Sequence, residues 1–226
     1  MAQPAASREV RIPAGPAWLY GDFVAPADAA GIVLFAHGSG SGRHSSRNRQ
    51  VARRLQDAGI ATLLFDLLTA DEEQHDLHTR EHRFDIPLLT GRMQEATAWV
   101  SSLPEAKALP IGYFGASTGS AAALIAAARL GNRIAAVVSR GGRPDLAGPA
   151  CLTAVTAPTL LIVGGADHGV IGLNQEAYER LQCRKELQVV PGATHLFEEH
   201  GALDRVSEAA SQWFSKHFAR LHEAAS

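Results

Sequence analysis

The chain predicts an α/β fold: a three-layer sandwich on a mostly parallel sheet of about eight strands, with no sizeable cap domain. Three observations carry this expectation. Apolar runs of strand length alternate with longer segments of helical period. The runs at 31–36 and 60–65 are almost wholly apolar instead of alternating, as strands covered on both faces are. Glycines and prolines punctuate the junctions, with no internal repeat and no linker, so residues 1–226 read as one domain.

Taken in order, the first 24 residues supply two antiparallel edge strands around a Gly15-Pro16 turn. Gly31-Ile32-Val33-Leu34-Phe35-Ala36 is a buried strand, and Val51, Leu55 and Ala58 mark a helix that Gly59 caps. Ile60 to Phe65 is the next strand, followed by a polar loop. Met93, Ala96, Val100 and Leu103 share one helix face, and Pro104 stops that helix. Strands are expected at 110–114, 134–138, 159–163 and 187–190, with helices at 117–130, 174–182 and 202–221. The last helix is amphipathic, with Leu203, Val206, Trp213 and Phe214 on or near its buried side.

Composition narrows the function classes. With 46% hydrophobic residues over 226 positions, a full core is available without disulfides or structural metals. Against 23 acidic residues stand 21 Lys and Arg, so no broad basic face is expected and nucleic acid is not an expected partner. Cys151 and Cys183 lack the spacing of a zinc site or a disulfide framework. The N-terminus shows no basic start followed by an apolar stretch, and the longest apolar run, 121–128, ends at Arg129 far short of a membrane span. A cytoplasmic protein, monomeric or a small homo-oligomer, with no membrane partner, is the expectation.

The sharpest chemical signal is Gly115-Ala116-Ser117-Thr118-Gly119 between a predicted strand and a predicted helix. G-x-S-x-G at that junction is the nucleophile-elbow pattern: small neighbours let a serine occupy a strained turn at the carboxyl end of a strand. A serine hydroxyl needs a histidine base, itself oriented by a carboxylate. Gly164-Gly165-Ala166-Asp167 follows the strand at 159–163, and Pro191-Gly192-Ala193-Thr194-His195 follows that at 187–190. Ser117, Asp167 and His195 are therefore the expected catalytic residues, all on one edge of the sheet. Asp145, beside Pro144, is an alternative acid better suited to a turn; Asp66 comes too early in the chain order. His168 suits an exposed or pocket-wall position, and His200 the start of the last helix.

Ala36-His37-Gly38-Ser39-Gly40-Ser41-Gly42-Arg43 follows the strand at 31–36 and can aim a backbone N–H at a developing oxyanion. Ser39 is the expected first donor, with Gly40 in reserve, and the N–H of Thr118 the second; His37 suits a structural role in the turn. Neither G-x-x-x-x-G-K-S/T nor G-x-G-x-x-G occurs, so the loop does not read as a nucleotide cradle. Asp71, Glu72, Glu73, His75, Asp76, His78 and His82 are too loosely spaced for a metal centre, and none is expected. Arg140 and Arg143, after the strand at 134–138, could each fork onto an anionic substrate group or tie loops together.

With these residues in place, the chain resembles an α/β-hydrolase of the dienelactone hydrolase-like group, from the histidine-glycine loop to Pro191-Gly192-Ala193-Thr194-His195-Leu196-Phe197. The phenylalanine two past the histidine is the more particular mark. The resemblance implies Ser117 as nucleophile, Asp167 as acid, His195 as base and no cofactor. One departure is informative: dienelactone hydrolases proper carry a cysteine nucleophile, and this elbow carries serine, which favours a general carboxylesterase. About 20 residues separate the strands at 134–138 and 159–163, too few for a large lid, so an open site for small or short-chain esters is expected. Lactone or thioester cleavage, acyl transfer on the same triad, and a non-catalytic binding protein on this fold remain alternatives.

Overall fold

The structure is a computed structural model that describes residues 6–224, with side chains to Leu221. Strands β1 (Arg8–Ala14) and β2 (Ala17–Val24) form the expected hairpin, turning at Gly15 with φ 59°. The parallel strands are β3 (Ile32–Ala36), β4 (Ala61–Phe65), β5 (Ile111–Ala116), β6 (Ile134–Arg140), β7 (Thr159–Gly164) and β8 (Lys185–Val190). All eight join one sheet in the order β1-β2-β4-β3-β5-β6-β7-β8, antiparallel only at β1/β2 and β2/β4. The chain steps outward from β3 to β4 and then returns to β5 on the other side. Loops leaving β3 and β5 therefore diverge and open a crevice at their carboxyl ends.

Helices α1 (Ser46–Asp57) and α7 (Ala202–Ala224) cover one face of the sheet. On the other face lie α3 (Ile86–Ser102), α4 (Thr118–Leu130), α5 (Pro149–Ala154) and α6 (His168–Arg180). The alternation along β6 shows the division: Val137 joins the core beneath α4, whereas Ala136 and Val138 join that beneath α1 and α7. Phe214 and Phe218 from α7 are fully buried in the latter core, each stabilising the fold by about 1.5–3 kcal/mol. Among the described residues there is no large cap: the insertion after β4 at the carboxyl edge of the sheet holds only α2 (Ala70–Thr79) and a short 3-10 turn, His82–Phe84.

Several boundaries differ from the sequence expectation. The polar stretch after β4 is the helix α2, nucleated by a capping box in which Thr69 accepts from Glu72 N while Glu72 accepts from Thr69 N. α3 begins at Ile86, where Asp85 accepts from Leu88 N and Pro87 sits in the first turn, well before the apolar face that marks its centre. α5 was not foreseen, and α6 starts at His168 instead of 174. His200 lies in the turn just before α7, outside the helix. Among the described residues no helix is long and apolar enough to cross a membrane.

His217 makes the fold pH-sensitive. Its ring packs against Trp213 at a tilt of 57° with centroids 4.5 Å apart, and burial, followed by the cations Arg220, Lys216 and Arg184, pushes its pKa down to about 4. The same histidine in the unfolded chain titrates near 6.5, so between about 6.5 and 4 the unfolded state binds more protons. Stability is therefore complete above that window and declines as the pH falls through it. Thermal midpoints should drop from pH 7 to 4.5, and His217→Phe, which keeps an aromatic ring against Trp213 and removes the proton site, should flatten the slope. An unchanged slope in that variant would remove His217 from the account.

Candidate active site

The elbow is built as the small residues around Ser117 require. Ser117 has φ 50° and ψ −123°, a strained backbone for a non-glycine residue. Its N–H bonds to Arg140 O at 3.2 Å, and its carbonyl accepts from Arg143 N at 3.1 Å, so the loop after β6 holds the turn from both sides. Gly119 permits the closest approach: a Cβ there would stand 2.3 Å from Ala36 O and 2.5 Å from His37 O. Any side chain would push the β3 loop away from Ser117.

The structure brings Ser117, Asp167 and His195 together. His195 Nε2 lies 3.3 Å from Ser117 Oγ, and His195 Nδ1 lies 2.7 Å from Asp167 Oδ2. Both residues at helix starts forgo capping for this chain of contacts: Ser117 precedes α4 and Asp167 precedes α6, and neither side chain caps its helix. The Asp167 side chain is 12% exposed and that of His195 37%, so the carboxylate is the more shielded of the pair. The loops that carry Asp167 and His195 interlock through Gly165 N to Val190 O at 2.8 Å and Ala166 N to Ala193 O at 2.9 Å. Gly164 is obligatory there, since a Cβ would meet Ala193 O at 2.3 Å.

Two supports of the His195 loop go beyond the sequence reading: Glu199 carried no signal there, and Phe197 was marked only by its place two residues past His195. Glu199 accepts from both the N–H and the hydroxyl of Thr194, and those bonds hold its carboxyl below the usual carboxylate range. Phe197, two residues past the base, takes φ 56° with its ring fully buried. A bulky residue in the left-handed region persists only when packing over-determines it, and here the packed ring fixes the path of the loop.

In the β3 loop, His37 has the structural role expected of it. Its Nε2 accepts from Leu67 N at 3.0 Å and its Nδ1–H donates to Gly38 O at 3.0 Å, which sets the tautomer; burial lowers its pKa and keeps the ring neutral. Ser39 differs from the expectation in one respect. Its N–H is not free: it donates to Thr118 Oγ1 at 3.0 Å, because the two expected oxyanion residues sit side by side. The Thr118 hydroxyl thus occupies the Ser39 N–H, while Gly40, at φ 69°, follows in the same turn. Beside this loop lies a cavity of about 160 Å³ walled by Leu67, Leu68, Leu77, Leu89 and Arg83.

The remaining candidates separate cleanly. Arg143 forks onto Asp145, at 2.9 and 2.7 Å, so this pair ties its own loop and Asp145 is not the acid facing His195. Asp66 accepts from Arg43 N at 2.8 Å and pairs with the Arg43 guanidinium. His168 is exposed at the first residue of α6. Several members of the acidic and histidine-rich stretch have protein partners: Asp76 binds Arg83, Glu72 binds Arg92 of α3 and His75 pairs with Glu81. Among the described residues no three His, Cys, Asp or Glu side chains converge as a metal site would need. Cys151 and Cys183 are half-buried, with thiols pushed up by burial. Arg140 is buried at the end of β6.

Comparison with known proteins agrees with this architecture. Residues 29–221 match the family model described as an alpha/beta hydrolase domain. A dienelactone hydrolase from Anabaena variabilis, known from its crystal structure, is 55% identical, with a TM-score of 0.93 over 95% of this chain and 99% of that one. An esterase from Pyrococcus furiosus superposes with a TM-score of 0.78 at 17% identity, over 95% of this chain and 92% of its own, a likeness of fold alone. Curated sequences from two Mycobacterium tuberculosis strains, provisionally named phosphoribosyl transferases, are 54% identical over 214 residues. That match takes in 95% of this chain and 47% of theirs, so the chain spans about half the length of those relatives. On the family match, the 55% identity and the eight-stranded sheet, the chain belongs to the α/β-hydrolase family, in its dienelactone hydrolase-like group.

Proposed function

We propose that the chain is a serine hydrolase that cleaves carboxylic esters of small or short-chain substrates through an acyl-enzyme. The observation that carries this reading is the continuous contact Ser117 Oγ to His195 Nε2 to His195 Nδ1 to Asp167, at 3.3 and 2.7 Å. Ser117 attacks the carbonyl while His195 takes its proton; Asp167 keeps the imidazole in the accepting tautomer and stabilises it once charged. The tetrahedral oxyanion sits at the start of α4, where the Thr118 N–H and the positive helix end favour negative charge, with the second donor from Ser39 or Gly40. His195 returns the proton to the leaving alcohol, and water then repeats the sequence to free the acid.

A small substrate is favoured by the cavity beside the oxyanion loop: about 160 Å³, below the roughly 300–1,000 Å³ common for drug-sized ligands. The transferase name of the longer relatives is taken to describe the half of those chains outside the match. A panel of 4-nitrophenyl esters of increasing chain length, with lactones and thioesters alongside, tests the reading. Short esters should be cleaved fastest; binding of an ester with no turnover of any member would favour a non-catalytic role instead.

A further inference from the structure

The loop after β6 grips the candidate site from behind. Ser117 N bonds to Arg140 O at 3.2 Å and Ser117 O accepts from Arg143 N at 3.1 Å. Gly141 packs against His195, whose Cε1 lies 3.6 Å from the place a Cβ on Gly141 would take. Between these contacts sits Gly142. A Cβ there would stand 2.0 Å from Ser139 Oγ and 2.5 Å from Ser120 Oγ, so the loop is drawn into the protein as far as bare backbone allows.

The group that holds it there is the side chain of Asn174, in the middle of α6. Asn174 is fully buried, and its Nδ2 donates to Gly142 O at 3.1 Å and to Val170 O at 3.0 Å. Both partners are carbonyl oxygens, so the NH₂ faces them and Oδ1 is left buried with no hydrogen-bond partner. Val170 lies in the first turn of the same helix, and its N–H donates to Asp167 O at 3.0 Å. One amide therefore ties the turn that begins at Asp167 to the loop that holds Ser117 by its N–H and its carbonyl.

Packing alone does not call for asparagine at this place. An orphaned amide oxygen in the interior costs free energy, and a leucine of similar volume would fill the space without it. The helix gains little from the bond to Val170 O, since an α-helix already pairs that carbonyl with the backbone N–H four residues on. The contact that the side chain adds is the one to Gly142 O.

We propose that Asn174 is a positioning residue of the hydrolytic site, fixing the spacing of Ser117 and Asp167 on either side of His195. The inference rests on the serine-hydrolase reading and adds a residue to its machinery. Asn174 acts at one remove, through Gly142 and Arg143 on Ser117 and through Val170 on Asp167. The imidazole has to meet both partners at once, at 3.3 Å from Ser117 Oγ and 2.7 Å from Asp167 Oδ2. A slip of the loop relative to α6 lengthens one contact or the other.

The test follows a short 4-nitrophenyl ester and a fluorophosphonate through Asn174→Leu and Asn174→Asp. Leucine removes the donors and the orphaned oxygen together; aspartate keeps the shape and sets an oxygen against Gly142 O. In each variant kcat should fall about 10–100-fold while KM stays within about threefold. The rate of covalent labelling should fall by a similar factor, and Asn174→Leu should melt within a few degrees of the wild type. Alignment also predicts non-additivity: once Asp167→Asn has disabled the base, adding Asn174→Leu should lower the residual labelling rate by less than about threefold. Asn174→Asp decides if Asn174→Leu does not fold. Unchanged kcat in the variants of an active wild type overturns the positioning role and leaves the hydrolase reading intact. So does a loss of activity that merely tracks a fall in melting temperature in both variants, or one that adds in full to that of Asp167→Asn. If the wild type neither turns over any ester nor takes the label, the hydrolase reading fails and the positioning role fails with it.

Discussion

Ser117→Ala is expected to lower kcat towards a short 4-nitrophenyl ester by on the order of 10⁵–10⁶-fold, with KM changed little. On the serine-hydrolase reading the hydroxyl oxygen forms the covalent bond, and among the described residues its hydroxyl-bearing neighbours are placed otherwise: Ser39 is exposed, Ser120 bonds to Ser139 and Thr118 accepts from Ser39. The loss should not come from unfolding. Alanine keeps the Cβ that the elbow already accommodates and occupies the same left-handed backbone at similar strain, so the melting temperature should stay within a few degrees. A fluorophosphonate should label the wild type once per chain at Ser117 and leave the variant unlabelled. Stoichiometric labelling of the variant at another residue would falsify the assignment of the nucleophile.

Asp167→Asn is expected to cost about 10⁴-fold in kcat while the fold persists. Asp167 accepts from His195 Nδ1 at 2.7 Å, which leaves Nε2 unprotonated and ready for the serine proton. An asparagine that turns its amide NH₂ towards Nδ1 reverses the tautomer: Nε2 then carries the hydrogen and cannot accept. Shape is conserved and chemistry inverted, so the defect should appear in kcat with little change in thermal stability. Activity within tenfold of wild type would mean that another carboxylate orients the base. Asp145, weighed for that role from sequence, is committed to Arg143 through two short bonds, and Asp145→Asn should loosen that loop without matching the kinetic loss.

Much of this arrangement was legible because strand periodicity and elbow chemistry are local signals. The buried runs at 32–36, 61–65 and 111–116, and the residues that follow them, lie where apolar patterning and small-residue spacing put them. α2 was missed because its polar face masks the helical period, although Thr69 and Glu72 carry the capping signature. The start of α6 was missed because Gly169 and Gly172 lower its propensity, and tertiary packing overrides that. The stapling of Thr194 by Glu199 and the left-handed Phe197 depend on contacts no spacing reveals. For the arginine pair, residue type could not choose between substrate contact and loop tie. Geometry separates them by giving Arg143 a carboxylate partner and Arg140 none.

His195, the proposed base, follows β8, an edge strand of the sheet, whereas Ser117, the proposed nucleophile, follows β5 near its centre. β8 is hydrogen-bonded in the sheet to β7 alone, and Glu186, Gln188 and Val189 along it are intermediate or exposed, while every residue of β5 is buried. Sheet margins open at a lower free energy than sheet centres. On heating, the general base is therefore expected to part from the serine in a sub-global opening, so that catalytic competence is lost over a lower temperature range than the cooperative unfolding of the core.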